Sequence, residues 1–422
     1  MSAETHQRTQ PAHAECRADA LPLVSVVIPC LNEEQNIERC VGAARSALAR
    51  MGLADDSAGS AAGPRAAPAA AGERERRTAE VIVVDNGSED SSARLAAAAG
   101  ARVVHEPRRG YGRAYLAGFA AARGTYIVMA DADLTYDFGE IPRFVALLEE
   151  GAELVMGDRM DDIQPGAMPW LHRYIGNPIL TGFLNLLFKT GVSDAHCGMR
   201  ALRRDALPRL QLRASGMEFA SEMVVRAAKE GLRIAELPIT YHPRGGESKL
   251  SSFRDGWRHL RFLLVHSPTH LFIIPGLLLA ALGALIVGVV GAGLELFGRA
   301  WGIHALIGGS LLMIVGTQVL ALGLCAHAYG TYFMGEHERW FDWARARLRL
   351  EHGLLLGGLF ILAGLCLGGL ILATWISHGF GSLADERLAV IAVALLIVGI
   401  QIFFSAFLLS VIGLRREPPE QR

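Results

Sequence analysis

Two carboxylates, Asp131 and Asp133, stand one residue apart in the stretch Thr125-Tyr-Ile-Val-Met-Ala-Asp-Ala-Asp-Leu134. The apolar run before them, Tyr126 to Ala130, reads as a buried strand, so both acids arrive where a strand ends. Ligands of open α/β sheets collect at such carboxyl ends. Paired acids at this spacing suit a hard divalent cation, Mg²⁺ or Mn²⁺, bridging to phosphate oxygens. Mg²⁺ takes one or two carboxylates and completes its shell with substrate oxygens and water. Asp-x-Asp alone also describes a solvated turn after a strand, so its surroundings have to decide.

Those surroundings begin with Leu23-Val-Ser-Val-Val-Ile-Pro29, a short β-branched run closed by Pro29. Asn32 is then placed to cap a helix running toward Arg50. Residues 54–78, rich in Ala, Gly, Pro and Arg without periodicity, read as a flexible insertion. A second strand, Glu80 to Asp85, ends in Asp85-Asn-Gly-Ser-Glu-Asp90, and Ser91 to Ala99 reads as a helix. Asp85 is either a turn residue using Asn86-Gly87 or a carboxylate that accepts hydrogen bonds from a nucleotide base or ribose. A third strand, Ala101 to Val104, leads into Glu106-Pro-Arg-Arg-Gly-Tyr-Gly-Arg-Ala114. Here Gly110 and Gly112 permit close backbone approach, while Arg108, Arg109 and Arg113 offer charge either to a diphosphate or to solvent. The loop lacks the Lys-Ser/Thr ending of a P-loop, which speaks against an ordinary nucleoside triphosphatase.

A chain of 422 residues with 51% hydrophobic content holds a domain of ordinary size plus a more apolar part, which lies at the C-terminal end. The formal net charge of −1 provides no global basic field, so nucleic acid is not an expected partner. Six scattered cysteines without metal-ligand spacing read as reduced thiols of a cytosolic catalytic part. Residues 1–21 read as disordered and lack an apolar h-region, so no signal peptide is expected.

Val26-Val-Ile-Pro-Cys-Leu-Asn-Glu-Glu34, Val84-Asp-Asn-Gly-Ser-Glu-Asp90 and Asp131-Ala-Asp133, in this order and spacing, resemble the family 2 glycosyltransferases of the GT-A fold. Within them the chain is most similar to the dolichol-phosphate and polyprenyl-phosphate sugar synthases, over about residues 23–267. The resemblance implies a nucleotide-diphosphate sugar as donor. It implies Pro29, Asn32, Glu34 and Asp85 at the nucleotide, and Asp131 and Asp133 on the metal of the donor diphosphate. One departure is visible: the related mannosyltransferases tend to carry Gln and then His-Pro-Pro after this point, where this chain has Thr135-Tyr136-Asp137.

Glu153 to Arg159 reads as a further strand, and the family pattern brings Arg159 toward phosphate. A helical stretch from Trp170 to Lys189 is apolar enough to pack on the sheet or to graze a membrane. In Ser193-Asp-Ala-His-Cys-Gly-Met-Arg200, Asp194 matches the acid that the family uses near the reacting centre, as base or as orienting group. His196 reads as a structural hydrogen-bonder more readily than as a chemical group, and Cys197 has no base beside it in sequence. Glu218 and Glu222 share one helix face, either as solvated acids near an N-terminus or, by the family parallel, as sugar-hydroxyl ligands. After a strand from Leu232 to Tyr241, His242-Pro-Arg-Gly-Gly-Glu-Ser-Lys-Leu250 places Arg244, Ser248 and Lys249 among glycines, a composition suited to gripping a phosphate. It is similar to the family's Gly-x-Ser-Lys-Leu loop.

Residues 250–268 put Arg254, Arg258 and Arg261 on one helical face with apolar residues on another, the pattern of an interfacial helix. Four apolar stretches follow, at about 271–294, 305–330, 353–376 and 388–413, each long enough to span a bilayer and free of Asp, Glu, Lys and Arg. Arginines concentrate in 331–352 and in the tail, 415–422, so the positive-inside rule puts both termini and the catalytic part in the cytoplasm. The expected architecture is an α/β GT-A-type mixed sheet over 22–249, an interfacial helix and a four-helix transmembrane domain over 269–414. The expected activity is inverting transfer of a hexose to a polyprenyl phosphate. Asp-Ala-His-Cys-Gly-Met-Arg and Gly-Met-Glu-Phe resemble the glucose-type synthases, which favours UDP-glucose over GDP-mannose. A non-catalytic binder of nucleotide sugar or lipid phosphate is the alternative from another class. A processive polysaccharide synthase would add Gln-x-x-Arg-Trp, which does not occur. Nothing in the sequence speaks against a homo-oligomer.

Overall fold

The computed structural model describes residues 21–56, 77–245, 252–295, 298, 301–334, 338–347, 349–380 and 386–413, and divides into two units, Met1–Phe262 and Leu263–Arg422. The first unit runs β1 (Val24–Cys30), α1 (Ile37–Arg50), β2 (Ala54–Asp55), β3 (Thr78–Asp85), α2 (Ser92–Ala98), β4 (Arg102–His105), α3 (Tyr111–Ala121), β5 (Tyr126–Met129) and α4 (Ile141–Glu149). It continues with β6 (Leu154–Asp158), α5 (Asn177–Phe188), β7 (Arg200–Arg203), α6 (Leu207–Leu210), α7 (Phe219–Lys229) and β8 (Ile234–Pro238). The sheet order is β2-β3-β1-β5-β7-β6-β8, with β4 also paired to β3. β1 is parallel to both β3 and β5, while β7 runs antiparallel between β5 and β6. This is the GT-A type of mixed sheet flanked by helices.

β1 and β3 are covered on both faces, which is why they read as unbroken apolar runs and not as alternating ones. On one side Val24, Val26 and Ile28 join Ile37, Val41, Ala44 and Leu48 of α1 and Phe144 and Leu148 of α4 in one core. On the other side α3 lies so close to Val27 and Val84 that only a glycine, Gly118, fits between them. The acids Asp85, Asp131 and Asp133 all follow from this packing, since each stands at or just past the end of a strand fixed by it.

Three expected boundaries move. Asn32 does not cap α1; it adopts the left-handed region (φ 51°), and the helix begins at Ile37 behind Asn36. The cause is that the Asn32 side chain accepts the Glu89 N–H (2.8 Å) across the gap between the loops after β1 and β3. The strand expected from Leu232 to Tyr241 is shorter, Ile234–Pro238. The ends of the expected insertion, Ala54–Asp55 and Thr78, pair with one another in the sheet, and 57–76 lie outside the described residues.

α8 (Ser252–Val265) leads into the second unit, followed by α9 (Ile274–Gly291), α10 (Ile303–Tyr329), α11 (Arg339–Arg347), α12 (Leu350–Ser377) and α13 (Glu386–Gly413). Four segments, Thr269–Gly291, Ile303–Phe333, Leu350–Ser377 and Glu386–Gly413, have mean hydropathy of 2.0 to 2.7 over windows nearly free of charge. They are long enough to cross a bilayer, and the chain is an integral membrane protein. Glycines recur every seventh residue where these helices meet: 276 and 283 on α9, 309, 316 and 323 on α10, 357 and 364 on α12. Without a hydrophobic driving force in lipid, close approach over small residues is what holds such helices together.

Glu80, wholly buried on β3, accepts hydrogen bonds from Ser25 Oγ (2.7 Å), the Arg123 N–H (2.8 Å) and Arg102 Nη2 (2.8 Å). Burial pushes its carboxyl up, but these donors outweigh burial and hold it below the ordinary glutamate range. Because the folded pKa is the lower one, its stabilisation is present above the unfolded value and is lost as pH falls. Glu80→Gln leaves Arg102 and Arg123 short of a charge partner and is expected to cost about 3 kcal/mol. Thermal unfolding in detergent checks this: Tm should drop by several degrees at pH 7, and the gap to wild type should narrow below about pH 4.

Candidate active site

The loops that leave β1 and β3 are laced together residue by residue. The Asn32 N–H donates to Ser88 Oγ (3.1 Å), the Glu33 N–H to Ser92 Oγ (2.8 Å) and the Glu34 N–H to Asp90 Oδ2 (3.1 Å), while Glu34 Oε2 accepts from the Ser91 N–H (3.3 Å). Pro29, Asn32, Glu34 and Asp85 are thereby gathered at one end of the sheet. Asp85 accepts the Ser88 N–H (3.0 Å) with Oδ1, as a turn residue does, and its Oδ2 lies 3.1 Å from His105 Nδ1. Asn86 is a brace the sequence reading passed over: it donates to Glu106 O and Arg108 O and accepts the Gly110 N–H (2.7 Å). Of the three arginines in that loop, Arg108 pairs with Glu106 and Arg109 with Glu89, both exposed, and Arg113 enters the first turn of α3.

Asp131 and Asp133 are anchored in the same way by different neighbours. Asp131 Oδ1 accepts the hydroxyls of Tyr111 (3.0 Å) and Tyr115 (3.1 Å). Asp133 Oδ1 accepts both the N–H (3.1 Å) and the hydroxyl (2.5 Å) of Thr135. Each acid thus has one oxygen bound by the protein and Oδ2 turned elsewhere; on Asp133, Oδ2 meets Arg244 Nη2 at 2.6 Å. The segment bearing Arg244 is pinned, since the Gly245 N–H donates to Asp133 O (2.9 Å) and the Gly245 carbonyl accepts from the Asn36 side chain. Ser248 and Lys249 lie outside the described residues.

Burial, and then the neighbouring Asp133, pushes the Asp131 carboxyl up to about 6. Among the described residues no set of three His, Cys, Asp or Glu side chains could hold a metal unaided. The two carboxylates, with Oδ2 of Asp131 unclaimed among the described residues and Oδ2 of Asp133 shared with Arg244, fit an ion that takes its remaining ligands from water and a diphosphate.

Arg159 and Asp194 meet each other. Arg159 Nε and Nη2 donate to the two oxygens of Asp194 (2.6 and 2.8 Å), and both residues are buried. The guanidinium also stacks over Tyr241 (5.0 Å) and reaches the Tyr136 hydroxyl (3.4 Å), which accepts the Gly198 N–H (2.7 Å). Burial alone would raise the Asp194 carboxyl, yet Arg159 outweighs it and holds the acid below the usual range. A carboxylate so held is a poor proton acceptor and a good anchor. Arg200, fully buried, donates to the carbonyls of Ala195, Cys197 and Ala220 and fixes the Asp194 loop against α7.

The remaining candidates are spent on structure. Glu222 accepts the N–H groups of Arg213 (2.9 Å) and Ala214 (2.8 Å), and Glu218 that of Gly216 (3.2 Å). His196 lies 4.7 Å from the His259 ring, with Ser221 between them at 3.5 and 2.9 Å. Burial, then the facing His259, holds His196 well below the ordinary histidine value. Burial pushes the Cys197 thiol up to about 12, so it is inert.

A GT-A-type sheet carries an acid pair at the end of β5 and a buried arginine–aspartate pair, and sequence comparison names the family of enzyme. Residues 25–210 match Glycosyl transferase family 2, and residues 324–413 match the Glycosyltransferase family 2 C-terminal transmembrane region. The chain is 40% identical over 398 residues, 94% of this chain and 90% of its relative, to the low-salt glycan biosynthesis hexosyltransferase Agl6 of Haloferax volcanii. This chain belongs to the family 2 glycosyltransferases. It is also 38% identical over 180 residues to the dolichyl-phosphate hexose transferase of the same organism, covering 42% of this chain and 76% of that one. To the undecaprenyl-phosphate 4-deoxy-4-formamido-L-arabinose transferase of Klebsiella pneumoniae it is 27% identical over 326 residues, 74% of this chain and 89% of that one. Glucosyl-3-phosphoglycerate synthase from Mycobacterium tuberculosis, among solved structures, gives a TM-score of 0.43 at 22% identity over 58% of this chain and 79% of that one.

With Asp131 held up to about 6, protons would compete below that pH with any cation bound at this acid. Mn²⁺ affinity, measured by calorimetry in detergent, is expected to be flat from pH 7 to 8 and to fall about tenfold per pH unit well below the Asp131 pKa.

Proposed function

We propose that this protein transfers a hexose from a nucleoside-diphosphate sugar to a polyprenyl phosphate, with inversion at the anomeric carbon. The observation that carries the proposal is the acid pair, each member anchored through Oδ1, with Arg244 at the Oδ2 of Asp133. Asp131 and Asp133 would hold Mg²⁺ or Mn²⁺, which neutralises charge on the leaving diphosphate. Pro29, Asn32, Glu34, Asp85 and Arg113 are assigned to the donor. Arg244, with Ser248 and Lys249 after it in sequence, is assigned to the acceptor phosphate. A phosphate monoester is largely ionised near neutral pH, so its oxygen can attack without a strong base. Asp194, committed to Arg159, then serves by positioning and Arg159 by holding it.

Membrane attachment supports a lipid acceptor. On α5 and the turns before it Trp170, Tyr174, Ile179 and Leu186 are exposed beside Arg173, a face suited to the bilayer interface. Arg339, Arg345, Arg347 and Arg349 stand between the second and third spans, against Arg299 between the first and second and Arg387 in the first turn of the fourth. That asymmetry supports a cytoplasmic catalytic unit and cytoplasmic termini. The Asp-Ala-His-Cys-Gly-Met-Arg segment supports UDP-glucose as donor, with GDP-mannose second.

Transfer of labelled sugar into an organic-extractable lipid, with UDP-glucose and GDP-mannose supplied separately, tests the proposal. Metal-dependent product from UDP-glucose is expected, with a loss of at least about 100-fold in Asp133→Ala. Product from GDP-mannose alone would reassign the donor. No product from a wider donor panel, with nucleotide binding retained, would mean a binding module.

A further inference from the structure

Both phenols that reach Asp131 come from one helix face and are placed there by neighbours with no other task at the site. Tyr111 opens α3 and Tyr115 follows one turn later, so their hydroxyls point the same way. The entry into α3 is set by Gly110, whose backbone (φ 155°) lies against the Ser215 carbonyl where a side chain has no room. The 213–216 loop is in turn held by Glu222 through the Arg213 and Ala214 N–H groups. Tyr115 is wholly buried and stacks on Phe219 (5.7 Å between centroids, 7° between planes), and Tyr111 meets Tyr115 edge-on at 5.0 Å. The rings are fixed by packing before their hydroxyls do anything.

A carboxylate oxygen has about two lone-pair sites, and on Asp131 Oδ1 both are taken by these hydroxyls. Among the described residues no donor reaches Oδ2. That oxygen faces Gly198, where an added Cβ would stand 2.5 Å away. We propose that Tyr111 and Tyr115 are positioning residues: by saturating Oδ1 they lock the rotamer of Asp131 and leave Oδ2 as the oxygen offered to a divalent cation. The inference rests on the reading of Asp131 as a cation ligand given above and adds the groups that aim it. Thr135 does for Asp133 what the tyrosines do for Asp131, with the difference that Oδ2 of Asp133 is met by Arg244 while Oδ2 of Asp131 has no such partner among the described residues.

The test is a titration of full-length protein in detergent with Mn²⁺, in the presence of UDP and, separately, GDP, reading free Mn²⁺ by electron paramagnetic resonance. Tyr111→Phe, Tyr115→Phe and the double variant remove the hydroxyls and keep the rings. Loss of a group that orients a metal ligand typically weakens binding ten- to a hundredfold. The double variant is therefore expected to raise the Mn²⁺ dissociation constant by about tenfold or more, with a wild-type circular dichroism spectrum and a cooperative melt. Wild-type Mn²⁺ affinity in the folded double variant would overturn the inference. If the double variant does not fold, Tyr111→Phe alone decides, a rise of a few-fold supporting and no change overturning. A wild-type protein that binds Mn²⁺ but transfers no sugar would sink the proposed function and leave this titration decisive. Wild-type protein that binds no Mn²⁺ with either nucleotide would overturn the inference itself.

Discussion

Two carboxylates held side by side at the mouth of a buried strand repel each other, and much of the N-terminal unit exists to keep them there. Asp131 shows the cost, its carboxyl pushed up to about 6 by burial and by Asp133. The opposing terms are hydrogen bonds to one oxygen of each acid and the guanidinium of Arg244 on the other oxygen of Asp133. Asp131 has no cationic partner in direct contact among the described residues, and Arg244 meets Asp133 through one oxygen only, whereas Arg159 takes both oxygens of Asp194. The contrast separates their chemistry: an acid paired bidentately is a finished structural element, whereas an acid anchored through one oxygen keeps capacity for a ligand.

The buried pair of Arg159 and Asp194 ties that geometry to the loop before β7. Taking two charges out of water costs several kcal/mol per ion by rough estimate, repaid only where every lone pair and donor is met. Here both oxygens of Asp194 are used, and Arg159 adds Tyr136 and the face of Tyr241. Tyr136 then receives the Gly198 N–H, and Gly198 stands against Asp131. Asp194 and Asp131 are therefore linked by a short run of packed, hydrogen-bonded groups. The Tyr241 end connects likewise, because the chain just beyond it bonds back to Thr135 and Asp133 through the N–H groups of His242 and Gly245.

Much of this was legible in the sequence where one residue's surroundings are set by its own neighbours. β1, β3 and β5 announce themselves as β-branched runs because both of their faces are covered, and the acids at their ends follow. The four spans are legible because length and apolarity suffice in lipid. What stayed hidden depends on partners far along the chain. Asn32 has the composition of a helix cap, but Glu89, more than fifty residues on, takes its side chain. Arg159, expected toward phosphate, and Asp194, expected as base or orienting group, give no local sign that they pair; the antiparallel β7 brings their loops together. Tyr111 and Tyr115 could have been noticed as an i, i+4 pair, yet nothing local says that this face of α3 looks at Asp131. Glu222, half of an apparent sugar-binding pair, is a loop fastener for the same reason.

The two units divide the physical problem between them. In the first, order comes from burying apolar strands and pairing buried charges such as Glu80, Arg159 and Asp194, and this produces a rigid floor on which a few oxygens can be aimed. In the second, the four long helices are apolar, so hydrophobic sequestration cannot distinguish one packing from another. Shape has to do it. Gly357 and Gly399 are reciprocal, each lying where a Cβ on the other helix would strike backbone at 2.7 to 2.9 Å. A sevenfold repeat of such residues keeps the contact seam on one side of a slightly supercoiled helix, which fixes register as well as distance. Polar contacts cluster at the end of this bundle, where Thr269, His327, Glu338 and Trp340 share hydrogen bonds. The described residues of the spans thus carry little that could do chemistry and much that holds shape.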